Sequence, residues 1–126
     1  MISQLLIGKE VEQFFIGEHS SSLLLAGGYK IVIESLCRFI GLDGTFVSNE
    51  DHNQVFGLPA PFNASREIQK QIKEQKITKV SVRDDTGDLT LYFDVGRLEI
   101  ICNSSGYECY QIHGPNSLII IGRGGK

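Results

Sequence analysis

The stretch Arg83-Asp84-Asp85-Thr86-Gly87-Asp88 holds three carboxylates around an Asp-Thr-Gly tripeptide. In pairs, such tripeptides let two carboxylates share one proton for acid–base chemistry. The surroundings oppose that use. Arg83-Asp84 stand where apolar residues would flank a catalytic loop, Asp88 stands where a small residue belongs, and no glycine-rich flap segment follows. A polar Asp-rich run between two alternating segments is a hairpin loop by its own turn chemistry. Cys102, Cys109 and His113 form a Cys-x6-Cys-x3-His spacing that matches neither a zinc finger nor a zinc ribbon, so no metal site is expected. With Cys37 the cysteine count is odd, and three free thiols are expected. No Gly-x-Ser-x-Gly elbow and no phosphate-cradling glycine pattern opening a helix is present, so neither a catalytic residue nor a cofactor is assigned.

What remains is charge on loops. Glu50 and Asp51 lie in a long irregular segment, Asp84, Asp85 and Asp88 in the hairpin loop, and Glu108 between Tyr107 and Tyr110. These eight residues form the expected binding surface, with the two tyrosine rings open between interface and core, because grouped carboxylates with aromatic neighbours suit a basic protein partner and speed its capture. The chain itself carries 12 basic and 15 acidic side chains, a net charge of −3. That balance predicts no direct nucleic-acid binding. No run approaches the ~20 apolar residues that span a bilayer, and no basic leader precedes Leu5-Leu6-Ile7, so a cytoplasmic protein away from the membrane is expected.

The elements that must position these loops are mostly strands. Residues 10–35 and 76–101 repeat one pattern. Val11, Phe14, Ile16, Leu23 and Leu25 fall on Ile77, Val80, Val82, Leu89 and Leu91 at a shift of 66; Ile31 and Ile33 fall on Leu98 and Ile100 at 67. Each copy reads as strand, turn, strand, turn, strand, with Gly17-Glu18-His19-Ser20 and Gly27-Gly28 as turns in the first. The expected fold class is α+β: two related three-stranded antiparallel meanders forming a sandwich or partly open barrel, with one short helix, in a single domain over 1–126. The helix is expected from about Ser65 to Gln75, capped by Asn63 or Ser65. Gly41 to Phe62 reads as a long loop, Tyr107–His113 and Ser117–Ile121 as two more strands, and Gly122 to Gly125 as loose or turn-forming.

Over most of its length the chain resembles the small bacterial immunity proteins of contact-dependent growth inhibition and polymorphic-toxin systems. The likeness is carried by Leu6-Ile7-Gly8 with Val11, by Leu42-Asp43-Gly44-Thr45, and by Gly87-Asp88-Leu89-Thr90-Leu91 with Phe93, Gly96, Leu98 and Glu99. It continues through Tyr107-Glu108-x-Tyr110, Gly114-Pro115 and Gly124-Gly125; the chain departs in having Tyr110 where the family carries tryptophan. The resemblance implies a non-catalytic protein that binds the C-terminal domain of one cognate toxin and covers its active site. A nuclease toxin would present the cationic side chains that an acidic surface fits. The alternative is a small β-barrel enzyme or ligand-binding protein, with Asp85-Thr86-Gly87 as its aspartic-protease-like feature.

Overall fold

The computed structural model describes residues 2–123. A short helix, Ile2–Leu6 (α1), precedes the meander Val11–Ile16 (β1), Ser21–Leu25 (β2) and Tyr29–Ile33 (β3). Leu36–Gly41 (β4) and Phe46–Ser48 (β5) form a hairpin, and a 3-10 turn at Asn49–Asp51 follows. After the helix Ala64–Ile72 (α2) comes the second meander, Lys79–Val82 (β6), Leu89–Phe93 (β7) and Gly96–Ile101 (β8). Glu108–His113 (β9) and Ile119–Arg123 (β10) form the closing hairpin.

Two five-stranded antiparallel sheets result, ordered β1-β2-β3-β9-β10 and β5-β4-β8-β7-β6, and they pack as a sandwich. Each sheet takes one meander, and the matched apolar positions of the two copies meet in the core between them. Six of the seven pairs are buried in both copies; the exception is Ile16 with Val82, the latter 38% exposed. The hairpins are exchanged. The hairpin that follows the first meander adds to the second sheet, with Cys37 opposite Ile100 and Phe39 opposite Leu98. The hairpin that follows the second meander adds to the first sheet, with Tyr110 opposite Ile33 and Ile112 opposite Ile31. Cys37 and Tyr110 therefore occupy equivalent places, as do Phe39 and Ile112, each pair 73 positions apart.

Helix α2 starts where Asn63 Oδ1 accepts the Arg66 N–H at 2.9 Å, and it stops where Glu74 turns left-handed at φ 68°. Ala64, Ile68 and Ile72, at i, i+4 and i+8, are fully buried. Burying a side chain such as Ile68 or Ile72 contributes roughly 1.5–3 kcal/mol, more than nine residues of helix propensity supply. On the adjoining face Ser65 Oγ accepts the Ile16 N–H at 3.0 Å and Gln69 Oε1 accepts the Phe14 N–H, so the helix satisfies backbone groups along β1.

Four expectations change. The span read as a loop from Gly41 to Phe62 contains β5 and the 3-10 turn, because a strand and a turn of three residues each carry too few positions to show any period. The helix ends at Ile72 rather than Gln75, since residues 74–77 pair instead with residues 8–11. Cys102 and Cys109 are disulfide-bonded, with Cα atoms 5.1 Å apart, leaving Cys37 as the free thiol; their seven-residue separation spans the crossover from β8 to β9 and draws the two sheets together. Gly122 and Arg123 belong to β10, whereas Gly124 and Gly125 lie outside the described residues. Among the described residues no helix is long and apolar enough to cross a membrane.

Candidate functional site

Strand register places the predicted acidic residues at one end of the sandwich. Leu89 lies opposite both Val82 and Ile100, so the β6–β7 loop sits beside the exit of β8. Ile33 lies opposite Ser21 and Tyr110, which brings the β1–β2 turn, the β3–β4 connection and the start of β9 to the same end. The 3-10 turn is fixed there by Asn49, whose Oδ1 accepts the Cys37 N–H at 3.1 Å and whose Nδ2 donates to Ser35 O at 3.0 Å. Glu18, Glu34, Glu50, Asp51, Asp84, Asp85, Asp88 and Glu108 gather on these segments, eight of the fifteen acidic residues. Among the described residues Arg83 is the one lysine or arginine on these loops, and register sets Arg123 beside Glu108.

The carboxylates have different roles. Asp85 is clamped by Arg83, with Nε to Oδ1 at 3.0 Å and Nη2 to Oδ2 at 2.8 Å, and it accepts the Thr86 N–H at 2.7 Å. The Arg83 hydrogen bonds and the Thr86 amide hold its carboxyl below the usual carboxylate range. A carboxylate fixed as the ion by a guanidinium is the reverse of one poised to share a proton. Asp51 Oδ2 accepts the Ser48 N–H at 2.9 Å while Ser48 Oγ accepts from Glu50 N at 3.1 Å, a capping box around the 3-10 turn. Asp88 Oδ1 accepts the Cys102 N–H at 2.8 Å and so anchors the end of β8 next to the disulfide. Glu108 accepts from Gln111 Nε2 at 2.9 Å.

The two tyrosines separate. Tyr107 is 80% exposed on the loop before β9. Tyr110 is a core residue, 2% exposed, where it had been expected on the binding surface. Its hydroxyl donates to Gly87 O at 3.2 Å, and its ring fills the place where a side chain on Gly122 would stand. Burial, with the Asp88 charge adding to it, pushes the phenol above its ordinary value and keeps it a donor. Alternation explains the difference: Tyr107 precedes the strand, whereas Tyr110 has the inward parity of Ile112.

Between the loops lies a cleft of about 290 Å³ whose walls include Glu18, His19, Glu34, Ser35, Asn49, Glu50 and Asn103. Three glutamates from three different loops line it, a setting for a lysine or arginine side chain of a partner. Glu18 and Glu34 were not singled out from the sequence. The repeat held a signal for the first, since the shift of 66 places Glu18 on Asp84. A second concavity, about 450 Å³, lies between α2 and the β4–β5 hairpin, lined by Phe39, Phe46, Val47, Ile68 and Val95 with Asp43 and Glu67. Among the described residues no cluster of three or more His, Cys, Asp or Glu could hold a metal ion.

No protein-family model, no curated protein and no solved structure matches this chain.

Proposed function

We propose that this chain is an immunity protein that binds and neutralises a cognate toxin domain, covering its active site with the acidic loop end. The observation that supports this reading is the segregation of charge: eight carboxylates from five loop segments of a duplicated scaffold share one end with a cleft lined by Glu18, Glu34 and Glu50. Toxin nucleases hold phosphates with lysine and arginine, and carboxylates on a rigid sandwich end take the same ground. Glu50, Asp84, Tyr107 and Glu108, joined by Glu18 and Glu34, make contact; Asp51, Asp85 and Asp88 shape the loops that carry them. Its site of action is the cytoplasm, where glutathione would exchange Cys102–Cys109 between thiol and disulfide.

The test is affinity for the toxin domain encoded beside this gene. Asp84→Lys combined with Glu50→Lys is expected to slow association about tenfold or more and to flatten its salt dependence, with the thermal melt unchanged. Absence of binding by the parent protein would remove the immunity reading. A small-ligand function is favoured by the concavity of about 450 Å³ beneath β5. Saturable binding of an apolar dye there, abolished by Val47→Lys, would support it.

A further inference from the structure

Among the described residues the two sheets have four outer edges, and three are protected. Along β1 the outward N–H groups of Phe14 and Ile16 donate to Gln69 and Ser65, the Val11 N–H donates to Gln75 O at 2.9 Å, and Val11 O accepts the Glu74 N–H at 2.8 Å. Strand β5 has only three residues and lies beside α2. Strand β6 has four, begins with Lys79 and lies beside α1. Strand β10 is different: five residues beginning Ile-Ile-Ile, with Ile119 56% and Ile121 47% exposed, neither proline nor charge before Arg123, and its one register irregularity at Gly122/Arg123, past the three isoleucines. Natural edges usually carry such devices, because an open apolar edge pairs with another strand.

Backbone phase shows which groups are open. The Gly114 N–H donates to Leu118 O at 2.9 Å, making the first pair of the β9–β10 hairpin a hydrogen-bonded one. Ile119 lies opposite His113, Ile120 opposite Ile112 and Ile121 opposite Gln111. Alternation along an antiparallel ladder then points the N–H and C=O of Ile120 into the sheet, and those of Ile119 and Ile121 out of it.

We propose that β10 joins β10 of a second copy of this chain, antiparallel and centred on Ile120. Ile119 of each copy lies opposite Ile121 of the other, each pair exchanging both backbone hydrogen bonds, and the two five-stranded sheets become one of ten. The sequence is self-complementary in this register. Ile119 and Ile121 share the outer face, so the four isoleucines of the two copies cover one another, while Ile120 meets its twin on the core side. Charge selects the same direction. Strand β10 runs toward the acidic end, so the antiparallel pairing sends the two acidic ends to opposite poles, whereas a parallel one would set them side by side. It also leaves each loop end open to its own partner.

Sedimentation over a concentration series of the full chain is expected to show a reversible monomer–dimer equilibrium. Ile121→Pro removes an outward N–H without touching a bond to β9, and it should weaken dimerisation about tenfold or more. The pair Ile119→Lys with Ile121→Lys alters side chains alone and should do the same if the proline disturbs the strand. Amide exchange supplies an independent readout: Ile119 and Ile121 should slow with rising concentration, whereas Ile120 should be protected throughout. A parent that stays monomeric at every concentration would overturn the proposal. So would variants that melt like the parent yet dimerise equally well.

Discussion

Replacing Tyr110 separates a core residue from a binding residue. The hydroxyl makes one buried hydrogen bond, to Gly87 O at 3.2 Å, so Tyr110→Phe loses about 1 kcal/mol, rising toward ~2 kcal/mol if the Gly87 carbonyl is left unpaired. For a chain of this size each kcal/mol lowers the melting temperature by roughly 3–6 °C, so Tyr110→Phe should melt roughly 3–12 °C below the parent. Tyr110→Ala also empties the space between Gly87 and Gly122, and a buried aromatic cut to alanine costs about 3–5 kcal/mol, or a melting shift on the order of 10–25 °C. Tyr107→Ala is the matched control, since a ring 80% exposed should change stability by no more than about 0.5 kcal/mol. The assay is thermal unfolding of the three variants beside the parent, by circular dichroism and by calorimetry. A Tyr110→Ala variant that melts within a degree or two of the parent would refute the core assignment. A loss of partner affinity without a loss of stability would return that ring to the binding surface.

The disulfide closes a short loop, so reduction should cost roughly 2 kcal/mol in the chain-entropy model; protein kept oxidised should titrate one thiol in denaturant, and three after reduction. Burial raises the Cys37 thiol to about 12 from an ordinary 9.0. A raised folded-state value means its stabilisation is complete below pH 9 and is lost as pH rises toward 12. Stability should therefore fall from pH 9 upward, by at most about 1.4 kcal/mol per pH unit from this group, and the thiol should react with alkylating reagents only on unfolding. Asp88→Ala leaves the Cys102 amide without its acceptor and should cost about 1–3 kcal/mol, whereas Asp84→Ala should be near neutral in a melt.

The two meanders were legible because β1 to β3 and β6 to β8 alternate apolar and polar residues, but the shift of 66 misplaces the middle strand by two. Leu23, opposite Phe14 and Ile31, has its counterpart in Leu91, opposite Val80 and Leu98, because a period of two does not distinguish registers that differ by two. The exchange of hairpins was not legible. Leu36-Cys37-Arg38-Phe39-Ile40 mixes inward and outward apolar residues, with Ile40 buried on the side that Arg38 shares, so its alternation is masked. For the site, hairpin chemistry correctly set Asp84 and Asp85 on a loop, but composition cannot tell a carboxylate that meets solvent from one that accepts a neighbouring amide, as Asp51 and Asp88 do. Nor could it separate Tyr107 from Tyr110, because the strand starts between them. The cleft joins Glu18, Glu34 and Glu50 through tertiary packing alone.

The exchanged hairpins also govern how the chain must fold. Strand β9 finds its place only against β3, with Ile31 and Ile112 separated by 81 positions, and β4 only against β8, with Phe39 and Leu98 separated by 59. Neither meander can complete its sheet from its own half of the chain, so two long closures must be made before either core face is covered. Such non-local pairing places folding in the slow range, on the order of milliseconds to seconds. It also makes the halves interdependent. A break in the exposed segment between the 3-10 turn and α2 leaves two pieces, each with a meander lacking its outer hairpin and a hairpin lacking its sheet, and each piece supplies what the other needs.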